Sequence, residues 1–238
     1  PSTKMLWQLG LLYCAAVWGA TFYLIKEAIA GVHPVPLVGW RFLLSAALLV
    51  PWLLLRRGAP SGWTPALLKD GAALAALLLA LYVSQTMGLA WTTASNSGFI
   101  TGLFVLFVPA LLFAFRRELP TPSQRAAVGL SLAGLWLLTG GLAGINLGDA
   151  VTLLSALTYA AHLLLTDRCV RAGQDTVWLA FHQFWMTGAA ALALCALGGW
   201  SFAVRSSGAA WVIVFLAVIP PLSAFFIQLV AQKTVAPM

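Results

Sequence analysis

The chain has 238 residues, of which 61% are hydrophobic and 8% charged, and its formal net charge is +7. A soluble domain carries about 25% charged residues, so this composition excludes a soluble globular protein and predicts an all-α, polytopic protein embedded in the lipid bilayer. In a soluble protein the basic excess would suggest a nucleic-acid partner. Here the loop bias of membrane insertion explains it, and we expect no nucleic acid.

Hydropathy and turn residues predict eight membrane-spanning helices. In chain order they are 6–29, 36–56, 67–91, 94–115, 124–142, 149–168, 177–198 and 209–232. The connections between them, such as "GVHPVP" and "RRGAPSGWTP", are short, so neighbouring helices must be antiparallel. Pro220 and Pro221 predict a kink or a break within the last span.

Basic residues are divided unevenly between the two sides of the predicted bundle. With the N-terminus in the cytoplasm, the cytoplasmic side holds Lys4, Arg56, Arg57, Lys69, Arg116, Arg117, Arg125, Arg168, Arg171 and Lys233. Lys26 and Arg205 fall on the other side. Arg41 lies within the second span, where we expect its side chain to snorkel to the outer interface rather than to bind substrate. The positive-inside rule therefore predicts a cytoplasmic N-terminus.

The sixth span resembles the first. "AAVWGATFYLIKEA" aligns with "SALTYAAHLLLTDR" and places Trp18 opposite Tyr159, and the same offset places Arg41 opposite His182. An odd number of spans separates the two copies, so the second copy is inverted in the membrane. Inverted-topology repeats are typical of secondary transporters.

A further match extends this repeat to the end of the chain. With a shift of two residues, "QTMGLAWTTAS" aligns with "QLVAQKTVAPM" and places Gln85 opposite Gln228. The alignment predicts a first repeat of five helices over 1–145 and a second repeat of three helices over 146–238. We therefore expect a protein of two five-helix repeats, with eight of the ten helices present here.

Four segments carry a resemblance to a known family: "LLYCAAVWGATFYLIKEA", "RFLLSAALLVP", "TTASNSGFITGLFVLFVPALL" and "QRAAVGLSLAGLWLLTG". They resemble the EamA-type branch of the drug/metabolite transporter superfamily. The resemblance implies a ten-helix transporter of the bacterial inner membrane, often an exporter of amino acids or other metabolites.

Several kinds of chemistry are excluded by missing motifs. The chain has no G-x-x-x-x-G-K-[ST] nucleotide loop, no H-E-x-x-H metalloprotease motif and no serine nucleophile elbow, so we expect no enzyme activity and no cofactor. Cys14, Cys169 and Cys195 are far apart and are predicted at different depths, which excludes a disulfide framework and a metal cluster.

The candidate substrate site consists of polar and aromatic side chains within the spans, because such groups usually face a bundle interior or a water-filled cavity. The predicted site residues are Trp18, Tyr82, Gln85, Asn96, Tyr159, His162, Gln183 and Gln228. Trp18 would serve equally in helix packing, and Gln85 in a bond to a neighbouring helix. Asn96 would alternatively cap the fourth span. His162 is the candidate for proton coupling, because histidine titrates near neutral pH.

These observations favour a secondary transporter that exports a small neutral or zwitterionic metabolite, amino-acid-like and perhaps aromatic, by alternating access. A sugar or nucleotide-sugar carrier of the same fold, or a non-transporting scaffold or lipid-handling protein, are the alternatives. The expected partners are a small-molecule substrate and the bilayer, and we expect a monomer or a weak homodimer.

Overall fold

The computed structural model describes residues 3–56, 62–117, 119, 121–139, 146–225 and 227. Within these residues the regular structure is helical and no strand is present. The helices are α1 (Thr3–Ala28), α2 (Pro34–Leu55), α3 (Pro65–Gly88), α4 (Ala94–Gly102), α5 (Phe104–Arg116), α6 (Pro122–Thr139), α7 (Leu147–Arg171), α8 (Thr176–Leu197) and α9 (Ser207–Ile219).

The helices agree with the predicted spans and confirm an all-α membrane bundle. Within the described residues, five segments are long and apolar enough to cross a bilayer: α2, α3, the α4–α5 pair, α7 and α8, with mean hydropathies from 1.3 to 2.4 over their most apolar windows. The protein is therefore a multi-pass membrane protein.

Local sequence fixes where these helices begin. Thr64 and Thr93 accept hydrogen bonds from the backbone amides at the starts of α3 and α4. Asn146 and Asp149 form a reciprocal capping box at the start of α7. The expectation that Asn96 would cap the fourth span is wrong, because Thr93 occupies the cap and accepts from the Asn96 amide at 3.0 Å.

Two spans are interrupted. The fourth span breaks at Leu103, beside Gly102, where the Leu103 amide bonds to the Ile100 carbonyl three residues earlier. In the last span the α-helix ends at Ile219, and Pro220–Phe225 continues as a π-helix. This interruption agrees with the kink predicted from the proline pair, since proline removes a backbone donor.

Contacts between loops show which loops lie at the same end of the bundle. We call the end that holds the α1–α2 loop the α1–α2 side, and the opposite end the α2–α3 side. On the α1–α2 side the Arg205 amide donates to the Gly31 carbonyl at 2.8 Å, so the α1–α2 and α8–α9 loops meet. On the opposite side Arg56 pairs with Asp175 at 2.8 Å, so the ends of α2 and α7–α8 meet. The antiparallel order predicted from the short connections therefore holds for these elements.

The core is built from two close helix pairs, α2 with α8 and α3 with α7. Phe42 of α2 and Phe184 of α8 pack together at 5.5 Å between ring centroids. Between α3 and α7 the helices cross at Gly88 and Gly148, and a β-carbon on Gly148 would lie 2.5 Å from the Gly88 carbonyl oxygen. This close approach depends on glycine and sets the spacing of α3 and α7 beside the cleft described next.

Candidate functional site

A cleft lies between α1, α3, α4 and α7 and encloses about 480 Å³ of space outside atoms, open solvent included. Its lining combines aromatic rings, aliphatic side chains and a few hydrogen-bonding groups. The lining residues are Trp18, Thr21, Phe22, Leu78, Leu81, Tyr82, Gln85, Thr101, Tyr159 and His162. A lining of this composition suits a molecule that has both an apolar and a polar part.

Aromatic contacts shape one wall of the cleft. The rings of Trp18 and Tyr159 meet edge to face, with centroids 6.1 Å apart and planes at 84°. Tyr159 also packs on Phe104 of α5 at 4.5 Å, and Tyr82 packs on Phe42 of α2 at 4.9 Å. Both tyrosines are therefore held by rings on other helices, which positions them for contact with a ligand.

A chain of hydrogen bonds joins three helices at the cleft. The Gln85 amide nitrogen donates to the Thr101 hydroxyl at 3.3 Å, and the Thr101 hydroxyl lies 3.2 Å from that of Ser155. Ser155 in turn donates to the Thr152 carbonyl at 2.5 Å. The sequence left two roles open for Gln85, a bond to a neighbouring helix and a place in the site. In the structure it has both, because it bonds Thr101 of α4 and also lines the cleft.

His162 of α7 bonds to Gln183 of α8 at the base of the cleft. The His162 Nε2 atom lies 2.8 Å from the Gln183 Oε1 atom, and both side chains are buried. The Gln183 Nε2 group has no hydrogen-bond partner among the described residues. Gln183 therefore supports His162 from behind rather than lining the cleft.

The cleft brings together five of the eight predicted site residues: Trp18, Tyr82, Gln85, Tyr159 and His162. Asn96 lies on the first turn of α4 and does not line it, because the cleft is reached one to two turns further along, at Thr101. Gln228 lies outside the described residues.

Arg41 departs from the expectation that it would snorkel to the interface. Its side chain is buried, with 3% exposed, because α2 is enclosed by α3, α8 and α9. The guanidinium carbon lies 4.4 Å from the centroid of the Tyr82 ring, so Arg41 borders a residue of the cleft. Neither Nε nor Nη1 has a hydrogen-bond partner in the described part of the chain.

Sequence reasoning missed several lining residues, although their spacing carried a signal. Leu78 and Leu81 share with Tyr82 and Gln85 the i, i+3, i+4 and i+7 positions of one helix face. On α1, Thr21 and Phe22 stand three and four residues after Trp18 and share its face in the same way. Extending each predicted residue along its own helix face would have found these positions.

The charges around the cleft limit what it can bind. Among the described residues that line it, none is a carboxylate. The described part of the chain holds no group of three or more His, Cys, Asp or Glu residues that could bind a metal ion. The cleft therefore offers stacking surfaces, hydroxyls, one amide and one imidazole.

A polytopic helical bundle with a polar and aromatic cleft between its helices is an arrangement typical of membrane transporters. The particular family follows from comparison with known sequences. The chain belongs to the EamA-like transporter family, which matches residues 5–140.

Relatives in this family are named as transporters. An uncharacterized transporter of Archaeoglobus fulgidus is 31% identical over 176 residues, which make up 74% of this chain and 53% of the relative. The uncharacterized inner membrane transporter YedA of Escherichia coli strain K12 is 28% identical over 149 residues, 60% of this chain and 47% of the relative. The chain thus spans about half the length of these relatives.

The fold is also found among solved structures. A crystal structure of a protein matches with a TM-score of 0.70 at 19% identity and covers 96% of this chain and 79% of that chain. At this identity the likeness concerns the fold alone.

Proposed function

We propose that the protein is a secondary transporter that exports small neutral or zwitterionic metabolites, amino-acid-like and with an aromatic or apolar side chain. The observation that carries the proposal is the cleft in which Trp18, Tyr82 and Tyr159 stand beside Gln85 and His162. The rings would stack on an apolar side chain, and the amide and imidazole would bond polar groups.

Alternating access between two inverted repeats is the proposed mechanism. In such transporters the substrate site lies at the interface of the repeats. Two observations support this arrangement. Trp18 and Tyr159, which the alignment makes equivalent, face each other across the cleft. The family match over 5–140 nearly coincides with the proposed first repeat, 1–145.

The absence of acidic groups argues against lipophilic cations as substrates. Residues 6–25 of α1 contain no Asp or Glu, and Glu27 lies at the far end of that helix. A cation in the cleft would meet no compensating charge from the described lining, which costs at least about 3 kcal/mol at mid-membrane depth.

We place the protein in the bacterial inner membrane with its N-terminus in the cytoplasm. The charge distribution supports the orientation, and one relative is named as an inner membrane transporter. Fusions of a cytoplasmic and a periplasmic reporter to the α2–α3 loop test it. The cytoplasmic reporter should be active there, and activity of the periplasmic one would reverse the orientation.

Uptake into proteoliposomes tests the transport proposal. The panel consists of labelled L-phenylalanine, L-tryptophan, glucose and tetraphenylphosphonium, each with and without a pH gradient. We expect uptake of the amino acids above protein-free vesicles, and little of glucose or the cation. Uptake of tetraphenylphosphonium above all others would contradict the proposed substrate class.

A further inference from the structure

Arg41 is a cation held inside the bundle. It lies about two turns into α2, is 3% exposed, and leaves Nε and Nη1 without a hydrogen-bond partner among the described residues. A guanidinium is not deprotonated in proteins, so the charge persists at this depth. A buried charge of this kind requires compensation.

Its immediate neighbours compensate the charge only in part. The guanidinium carbon stands 4.4 Å from the Tyr82 ring centroid and 5.0 Å from that of Phe42. Attraction to aromatic faces is weaker than the cost of removing a guanidinium from water. Tyr82 also forms a side-chain hydrogen bond with Arg41. Tyr82 and Phe42 therefore position the guanidinium but supply no negative charge to balance it.

The carboxylates of the described chain are engaged elsewhere. They pair as Asp70 with Gln174, Asp149 with Thr92 and Asn146, Asp167 with Arg171, and Asp175 with Arg56. Glu27 is exposed at the end of α1. None of these described groups supplies a counter-ion to Arg41, so its charge has no acidic partner within the described chain.

Tyr82 connects Arg41 to the cleft, because its side chain contacts the guanidinium and also lines the cleft. We propose that Arg41 binds the carboxylate of the transported substrate, while the apolar part of the substrate stacks on Trp18 and Tyr159. The substrate class is then small zwitterions that carry a carboxylate and an apolar or aromatic group. Arg41 itself does not line the cleft in this structure, so binding of the carboxylate there would require the Tyr82 side chain to move aside. The inference rests on the proposed function and narrows its substrate.

Two probes of the same shape and different charge test the carboxylate requirement on the unmodified protein. Phenylacetate and phenylacetamide are titrated against its thermal unfolding in detergent, with sodium chloride as a third arm. We expect phenylacetate to raise Tm with an affinity about tenfold or more tighter than that of phenylacetamide, as charged hydrogen bonds predict. Equal affinities, or no shift with either probe, would overturn the proposal. Protection by chloride equal to that by phenylacetate would assign Arg41 to an inorganic anion and overturn the substrate assignment.

Variants then assign the effect to Arg41. Arg41→Gln should remove the preference for phenylacetate and bring both probes to similar affinity. Arg205→Gln removes the same charge from an exposed loop and should keep the preference. A preference that survives in Arg41→Gln contradicts the assignment. If that variant does not fold, phenylacetate, phenylacetamide and sodium chloride on the unmodified protein still test whether binding requires a carboxylate.

Transport measurements separate this inference from the proposed function. L-Phenylalanine is compared with N-acetylphenylalaninamide, which lacks the carboxylate, in proteoliposomes of the unmodified protein and of Arg41→Gln. Transport of L-phenylalanine that is unaffected by Arg41→Gln contradicts the Arg41 site and leaves the transporter standing. Phenylacetate binding that depends on Arg41, without transport of any compound, contradicts the proposed function and leaves the Arg41 site standing.

Discussion

Trp18 of α1 and Tyr159 of α7 meet edge to face across the cleft, with ring centroids 6.1 Å apart. The proposed repeat alignment makes these two residues equivalent, and residues related by a two-fold axis touch only when they lie close to it. If the proposed inverted repeat is correct, their contact places its pseudo-two-fold axis beside these two rings.

Truncation of Tyr159 should weaken binding of aromatic substrates. Tyr159→Ala removes the ring that contacts Trp18 and Phe104, whereas Tyr159→Phe keeps the ring. An aromatic pair contributes about 0.5–1.5 kcal/mol, so we expect about a 2- to 12-fold rise in the KM of L-phenylalanine uptake for the alanine variant. The phenylalanine variant should stay near the unmodified protein. Equal KM values for both variants would show that the ring is not used.

If transport is coupled to protons, His162 should be the group that binds and releases the proton. Its imidazole lines the cleft, and histidine is the lining residue type that ordinarily titrates near neutral pH. We expect uptake by His162→Gln to lose the pH dependence that the unmodified protein shows. His33→Asn removes a histidine from the α1–α2 loop, keeps a side chain able to cap α2, and should behave like the unmodified protein. A pH profile unchanged in His162→Gln would contradict this role.

Gly148→Ala should destabilise the bundle. The added β-carbon would lie 2.5 Å from the Gly88 carbonyl oxygen and 2.8 Å from the Thr92 nitrogen, both backbone atoms that cannot rotate away. Overpacking of this kind costs typically about 1–3 kcal/mol, which should lower Tm by several degrees.

Gly129→Ala is the matched control for that prediction. A β-carbon there meets nothing within 4 Å, and alanine favours a helix interior by about 1 kcal/mol. We therefore expect Gly129→Ala to leave Tm unchanged or to raise it slightly. Thermal unfolding of both variants in the same detergent checks the pair, and an unchanged Tm in Gly148→Ala would show that the α3–α7 crossing tolerates a side chain.

The Arg56–Asp175 ion pair should restrain opening on the α2–α3 side. It joins the end of α2 to the start of α8 at 2.8 Å, close to the cluster in which Cys169 is buried. In a background with Cys14→Ala and Cys195→Ala, Arg56→Gln should raise the rate of maleimide labelling of Cys169 about two- to fivefold, as expected for a partly exposed pair. Arg171→Gln removes a charge that pairs within α7, and its labelling rate should match that of the parent. Equal rates in both variants would rule out a restraining role.

The same ion pair should make stability depend on acid pH. Burial by itself would raise the pKa of Asp175, but hydrogen bonds from Arg56 and from the Trp178 and Val177 amides bring it below the ordinary value of 3.8. A carboxyl with a lowered pKa in the folded state contributes stability above its unfolded pKa and loses it as pH falls through the folded one. Tm should therefore drop below about pH 4, and Asp175→Asn, which keeps an N-cap, should drop less. Identical pH profiles would contradict the prediction.

The sequence by itself determined the class and the order of the helices. A membrane-spanning helix forms its backbone hydrogen bonds within itself. A span can therefore be identified from about twenty apolar residues without knowledge of its neighbours. Local signals also placed the interruption at Pro220 and Pro221, since a missing backbone donor acts within its own turn. Five cleft residues were found because polar and aromatic groups within a span are few.

Tertiary structure decided what each polar group does. Arg41 was expected at the interface, yet packing of α2 against α3, α8 and α9 encloses it beside Tyr82. Asn96 and Thr101 are both polar residues of α4, and the crossing of α4 with α1 and α7 brings only Thr101 to the cleft. Gln183 supports His162 from another helix. These outcomes depend on which faces of the helices pack against each other. Contacts between residues distant in sequence, such as the one between Gly88 and Gly148, determine that packing.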